Sequence, residues 1–340
     1  MSTDLAPEDA LRLNVLLAGE LHAVRIDESA MALHALTPKG EARIGLHPNC
    51  RPDLYLMRVR ELLGGHALDF PGAYPVYLRH WMRTGHANPK NLAALLKLGE
   101  PEAVAAVALA PELTEELARR AWWVLPNREI ACCLLGQPAV RASGLGAEIA
   151  AFLVEHLPFE QEPLAAIDII RAVVGAGLLD AAESEKLWLK GKHRPHYYIG
   201  FLEHRPDELP GSAERELPEA VAAAARAGDP LAGLLARCYS ASGQSFLRAA
   251  ELVLEKPPIH DAVYLILDIL GRYFAAARDA VPGTVPPAEA AALAALARSG
   301  RAAVEPVLTR TTAVGPLMRR HLESVLAPLQ AGIRVLRGVP

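Results

Sequence analysis

Cys132 and Cys133 are adjacent, and a thiol there could accept or carry sulfur if a nearby cation such as Arg128 stabilised its thiolate. Their neighbours Ile130, Ala131, Leu134 and Leu135 support a plainer role, as two small apolar side chains on a helix. Consecutive helical residues point about 100° apart, so at most one of the two thiols faces solvent. The plainer reading is preferred, with the sulfur-accepting thiol kept as the alternative.

His47-x-x-Cys50 has the spacing of half a metal site, but no second Cys-x-x-Cys or His-x-x-x-His pair follows it. His80 and His86 flank a helix end and share no face. No Ser-His-Asp order, Walker motif or phosphate-binding glycine loop is present. Ser143-Gly144-Leu145-Gly146 lacks the strand that a dinucleotide fingerprint needs before it. The expectation is therefore a protein with no catalytic residues, no metal and no cofactor.

Two stretches could instead bind. Trp122 and Trp123, joined in the chain by Trp81 and Trp188, could offer aromatic surface. Trp122 continues the apolar stripe between Ala118 and Leu125 and is expected in the core, which leaves Trp123 as the contact residue for a groove or partner. The run Lys190-Gly-Lys192-His193-Arg194-Pro-His-Tyr197-Tyr198 is the densest basic and aromatic segment. Lys192, His193, Arg194 and Tyr197 could grip an anion, an acidic partner or RNA. The plainer reading of that run is a solvated arm, as it is for Arg319-Arg320-His321 on an amphipathic helix.

The elements that carry these residues are short helices cut by Gly and Pro. Between Gly99 and Pro138 the chain reads as a helix-turn-helix array. Gly99 suits the position just past a helix, and Pro101 suits the first turn of the next. The same device recurs at Gly228-Asp229-Pro230, and Asp180 to Glu183 spells a capping box. Only residues 21–47 alternate with period two, between turn sequences at 27–29 and 37–40, which predicts two or three antiparallel strands. A sheet that small must lean on a helix. The expected fold is mostly α: an irregular helical array, either a HEAT-like solenoid or an orthogonal bundle, with a small N-terminal antiparallel sheet.

The 340 residues suggest two domains. The Pro-, Gly- and Glu-rich stretch 206–217 reads as a linker between a helical array with the sheet, 1–205, and an all-helical domain, 218–340. Hydrophobic residues make up 51% and charged residues 22%, the balance of a globular chain. A net charge of −4 argues against nucleic acid as a main partner. No apolar run is long enough for a membrane span, and the acidic start is unlike a signal peptide. The expected location is the cytoplasm, with reduced thiols.

Several words occur together: Asp9-Ala-Leu-Arg-Leu-Asn-Val-Leu-Leu17, Val24-Arg-Ile-Asp-Glu28, Tyr74-Pro-Val-Tyr-Leu78, Leu98-Gly-Glu-Pro-Glu-Ala-Val104 and Ala118-Arg-Arg-Ala-Trp-Trp-Val-Leu-Pro-Asn127. This set resembles the DsrS proteins of sulfur-oxidising bacteria, mainly over residues 9 to 205. The resemblance implies a soluble cytoplasmic protein encoded with the reverse-acting dissimilatory sulfite reductase system, and it carries over no catalytic residue. The functional expectation is a non-enzymatic accessory or regulatory protein of sulfur oxidation that acts on a protein partner, with that reductase system as the candidate source of the partner. The alternatives are a sulfur carrier using Cys132 or Cys133 and an RNA-binding regulator acting through 190–198.

Overall fold

The computed structural model describes residues 5–67, 89–281 and 283–339. The fold is mostly α-helical with one small antiparallel sheet. The chain divides into two compact units, Met1–Leu153 and Val154–Pro340. Among the described residues no helix is long and apolar enough to cross a membrane.

In the first unit, α1 (Pro7–Leu17) precedes β1 (Ala23–Asp27), β2 (Ala32–Thr37) and β3 (Gly40–Gly45), which pair in that order as a meander. The register puts Val24 beside Ala35 and Ala42, and Ile26 beside Leu33 and Ile44, so one face is apolar. Arg25, His34 and Arg43 align on the other face. The apolar face is buried with Leu13 and Leu17 of α1 and with Tyr55, Leu56, Val59 and Leu63 of α2 (Pro52–Ala67). The sheet thus leans on two helices, as its size requires. Asp4, the expected cap of α1, and the helix expected from Tyr74 to Arg83 lie outside the described residues.

Five short helices and one longer one follow: α3 (Pro89–Leu95), α4 (Pro101–Ala108), α5 (Glu115–Val124), α6 (Arg128–Leu135), α7 (Pro138–Arg141) and α8 (Gly144–His156). Their ends obey local chemistry. Thr114 accepts from Leu117 N at 3.3 Å and Asn127 from Ile130 N at 2.9 Å, which caps α5 and α6. Gly99 has φ +66°, and a Cβ there would lie 2.9 Å from Ile26 Cδ1. Glycine is therefore required both by the backbone turn and by the sheet that presses on it. Just before it, Leu96 O accepts from Val24 N at 2.9 Å, which ties the array to the edge strand.

The second unit is helical: α9 (Pro163–Ala176), α10 (Ala181–Lys190), α11 (Tyr198–His204), α12 (Glu219–Arg226), α13 (Pro230–Tyr239), α14 (Ala241–Glu255), α15 (His260–Tyr273), α16 (Pro287–Ala297), α17 (Arg301–Leu308) and α18 (Gly315–Arg337). Helix α14 packs against α11, α13, α15 and α18. Because α11 and α18 are far apart in sequence, this unit is a bundle around α14 and not a stack of nearest neighbours. The capping box at Asp180 and Glu183 forms with both of its bonds, at 2.7 and 3.3 Å. Asp229 caps α13. Ser240 accepts from Gly243 N at 3.1 Å, so α14 begins at Ala241 and not near Gln244, where the apolar periodicity starts.

The stretch 206–217 contains neither helix nor strand. It runs in contact with the bundle: Leu209 is buried, Ser212 N donates to Ala241 O and Arg215 N donates to Tyr239 O. The Arg215 guanidinium also donates to the Val335 and Leu336 carbonyls and covers the Tyr239 ring. Nearby, the buried Glu251 carboxylate takes both Arg334 and Arg337. These bonds fix the end of α18, whose last carbonyls have no helical donors.

Candidate functional site

The polar face of the sheet and helices α5 and α8 together form a cleft of about 350 Å³. Arg25 comes from β1, Arg119, Trp122 and Trp123 from α5, Pro126 from the turn after it, and Leu145 and Glu148 from α8. Trp123 is half-buried, with Arg25 stacked over its ring at 5.0 Å from the centroid. Its indole N–H donates to Glu41 Oε2 at 3.4 Å. Glu41 also takes Arg25 at 3.2 Å and His34 Nδ1 at 2.8 Å. The His34 bond, aided by Trp123 and Arg25, holds the Glu41 carboxyl below the usual carboxylate range.

Trp122 differs from the sequence expectation. It is half-buried and lines the same cleft, not the core. Its indole N–H donates to Glu148 at 3.1 Å, and its ring meets Phe152 edge-on at 5.0 Å. The reason is the breadth of a tryptophan, which fills a helical stripe position while its far edge still reaches the surface. Arg119 at the cleft is held by Glu115 at 2.8 Å. The cleft therefore offers two indoles and guanidinium groups, all oriented by carboxylates. That equipment suits gripping apolar and acidic side chains. It supplies no nucleophile.

The basic run 190–198 ends α10 and continues through a tight turn into α11. Lys192, His193 and Arg194 are exposed. Tyr197 is not available as a contact residue, since its side chain is 1% exposed. Arg194 donates to its hydroxyl at 2.8 Å and lies over its ring. Tyr197 and Tyr198 are drawn inward because they begin α11, whose residues through Leu202 are core. Burial, with Arg194 nearby, pushes the His196 imidazole down to about 4.

Cys132 and Cys133 sit on α6 and are both half-buried. Burial, reinforced by Glu129, pushes the Cys133 thiol up. His47 and Cys50 do not act together. Arg58 donates to Cys50 Sγ at 3.4 Å, whereas His47 turns to Asp9. Among the described residues no group of three or more His, Cys, Asp or Glu side chains is arranged to hold a metal. His80, His86 and Trp81 lie outside the described residues.

One polar cluster has no counterpart in the sequence reading. Asp9 is fully buried and accepts from His47 N at 2.6 Å, His47 Nδ1 at 2.9 Å and Tyr55 Oη at 2.5 Å. Burial alone would raise its pKa, but the bonds from His47 and Tyr55 outweigh it and hold the carboxyl below its ordinary value. The available signal was spacing: Asp9, Leu13 and Leu17 recur every four residues and share the buried face of α1.

No family model, curated protein or solved structure matches the chain.

Proposed function

We propose that this protein is a non-enzymatic helical accessory factor that binds a protein partner at the Trp122–Trp123 cleft. The observation that carries the reading is the shared exposure of two adjacent tryptophans in one cleft with Arg25, Arg119 and Glu148. Aromatic and arginine side chains held in place in this way are the usual anchors of protein interfaces. The resemblance to DsrS proteins supplies the setting: the cytoplasm of a sulfur-oxidising cell, with a partner in the reverse-acting sulfite reductase system. The two alternatives draw less support. The raised Cys133 thiol is the opposite of what a sulfur-carrying thiolate needs. The burial of Tyr197 removes a stacking ring from the basic run.

The test is affinity capture from cells growing on reduced sulfur, with the wild type beside Trp123→Ala and Arg25→Glu. The captured protein is then purified and titrated against all three. Binding by the wild type that weakens about tenfold or more in both variants supports the reading. Equal binding by all three overturns it.

A further inference from the structure

In the second unit, two helical faces approach without closing. Glu185, Trp188 and Leu189 of α10, with Lys192 one turn on, form a stripe at spacings of three, four and seven. Ser245, Arg248, Ala249 and Leu252 of α14 form a second stripe at the same spacings. Such stripes ordinarily interlock. Here they leave a cleft of about 420 Å³, bounded also by Tyr198 and by the extended segment Pro210-Gly211-Ser212.

The walls are mixed in a specific way. Trp188 is half-buried, and its ring rests on Tyr198 at 4.5 Å and meets Phe201 edge-on at 5.4 Å. It is thereby fixed as an indole wall, with Leu189 and Leu252 as further apolar surface. The cations Lys192 and Arg248 are both exposed, and neither has an ion pair or a side-chain hydrogen bond among the described residues. One carboxylate, Glu185, also lines the cleft and leaves it with a surplus positive charge. Ser245 donates to the Pro210 carbonyl, so the 3.0 Å contact between Ser212 and Ser245 is donated by Ser212. The Ser212 oxygen keeps its lone pairs for a donor. Burial raises the Tyr198 phenol, with Arg248 opposing that push, so this hydroxyl stays protonated as a second polar group.

We infer that this cleft binds a small organic anion, a carboxylate or phosphate monoester with a flat apolar body, whose charge lies between Lys192 and Arg248 and whose body lies against Trp188 and Leu252. A compact inorganic anion would leave the indole wall unused, and a neutral aromatic would leave both cations unpaired. This site is distinct from the Trp122–Trp123 cleft and does not depend on it.

The test uses the full chain and four probes: 2-naphthyl phosphate, 2-naphthoate, neutral 2-naphthol and inorganic phosphate, each titrated by calorimetry. Saturable one-to-one binding of either naphthyl anion, about tenfold or more tighter than 2-naphthol and inorganic phosphate, is expected. The two anions against each other decide between phosphate and carboxylate. Lys192→Ala and Arg248→Ala should each weaken binding about fivefold to tenfold. Leu189→Glu, on the exposed wall, should weaken it as well, with an unchanged thermal melt as the control for folding. Absence of saturable binding by both naphthyl anions, or equal affinity in the Lys192→Ala/Arg248→Ala double variant, overturns the inference.

Discussion

The Trp123 indole N–H donates to Glu41 on β3, a residue 82 positions earlier in the chain, and Arg25 covers the same ring from β1, on the other side of β2. Trp123 on α5 is thus oriented by the polar face of the sheet. The sheet has two roles in this unit: its apolar face makes the core with α1 and α2, and its polar face aims a tryptophan.

That arrangement separates the two tryptophans energetically. Trp123→Ala removes a half-exposed ring and exposed electrostatic contacts, and should cost less than about 1 kcal/mol of stability. Trp122→Ala also removes the edge-on packing against Phe152 and should cost about 1–3 kcal/mol. Urea denaturation of the two variants measures both. A loss above about 3 kcal/mol for Trp123→Ala would place it in the core and remove the basis for a partner surface.

Asp9→Ala should be among the most damaging single changes in the first unit. It strips the acceptor from two side-chain donors and one backbone donor, of which the Tyr55 hydroxyl is buried. The expected cost is about 3–5 kcal/mol, against about 1–2 kcal/mol for Tyr55→Phe, which deletes one bond and leaves the carboxylate partly satisfied. Equal small effects in both would mean that the cluster contributes nothing to folding.

How much of this was legible depends on whether the cause is local. Thr114, Asn127, Asp180 and Asp229 cap their helices through bonds made within a few residues, and their types and positions reveal it. The small sheet, expected as two or three strands, is visible because its alternation is a property of the chain alone. The Asp9 cluster joins residues 38 and 46 positions apart, and at the start of a helix an aspartate already has a sufficient local explanation in the helix dipole. The burial of Tyr197 is hidden for a related reason. In sequence it belongs to a basic run, but in the fold it belongs to the start of a core helix. The cleft between α10 and α14 pairs Lys192 with Arg248, and nothing near either residue in sequence announces the other.

Helix approach in the bundle gives a paired prediction about two glycines. A Cβ at Gly243 would lie 2.0 Å from the Arg237 carbonyl oxygen, a backbone atom that cannot swing away. Gly243→Ala should therefore cost about 2 kcal/mol or more. Gly233, inside α13, has nothing within 4 Å of its Cβ position, so Gly233→Ala should stabilise by about 0.5–1 kcal/mol through helix propensity. Thermal melts of the two variants should move in opposite directions.

The cysteines should label in an order set by burial. Cys238 is fully buried, and burial pushes its thiol up to about 12. In the native protein at about pH 8, iodoacetamide should leave Cys238 unmodified and label Cys133 slowly, and all four cysteines should react once the chain is unfolded. Peptide mapping by mass spectrometry reads the order. Rapid native labelling of Cys133 would restore the sulfur-carrier alternative.

His196 predicts how stability responds to mild acid. Burial, then the nearby Arg194 charge, lowers its folded-state pKa to about 4, whereas an unfolded histidine titrates near about 6.5. Between those values the unfolded chain takes up a proton that the folded chain does not, so unfolding gains as the pH falls. The contribution is fully present above about pH 6.5, shrinks through the window and is gone near the folded pKa. After allowance for partial exposure it is worth about 1–2 kcal/mol. His196→Asn cannot titrate and should lose that slope, so the gap between the two proteins should be widest at neutral pH and narrow by about that amount toward about pH 4. Denaturant titrations at several pH values test this. Parallel curves for the two proteins would show that His196 is free to protonate in the folded state.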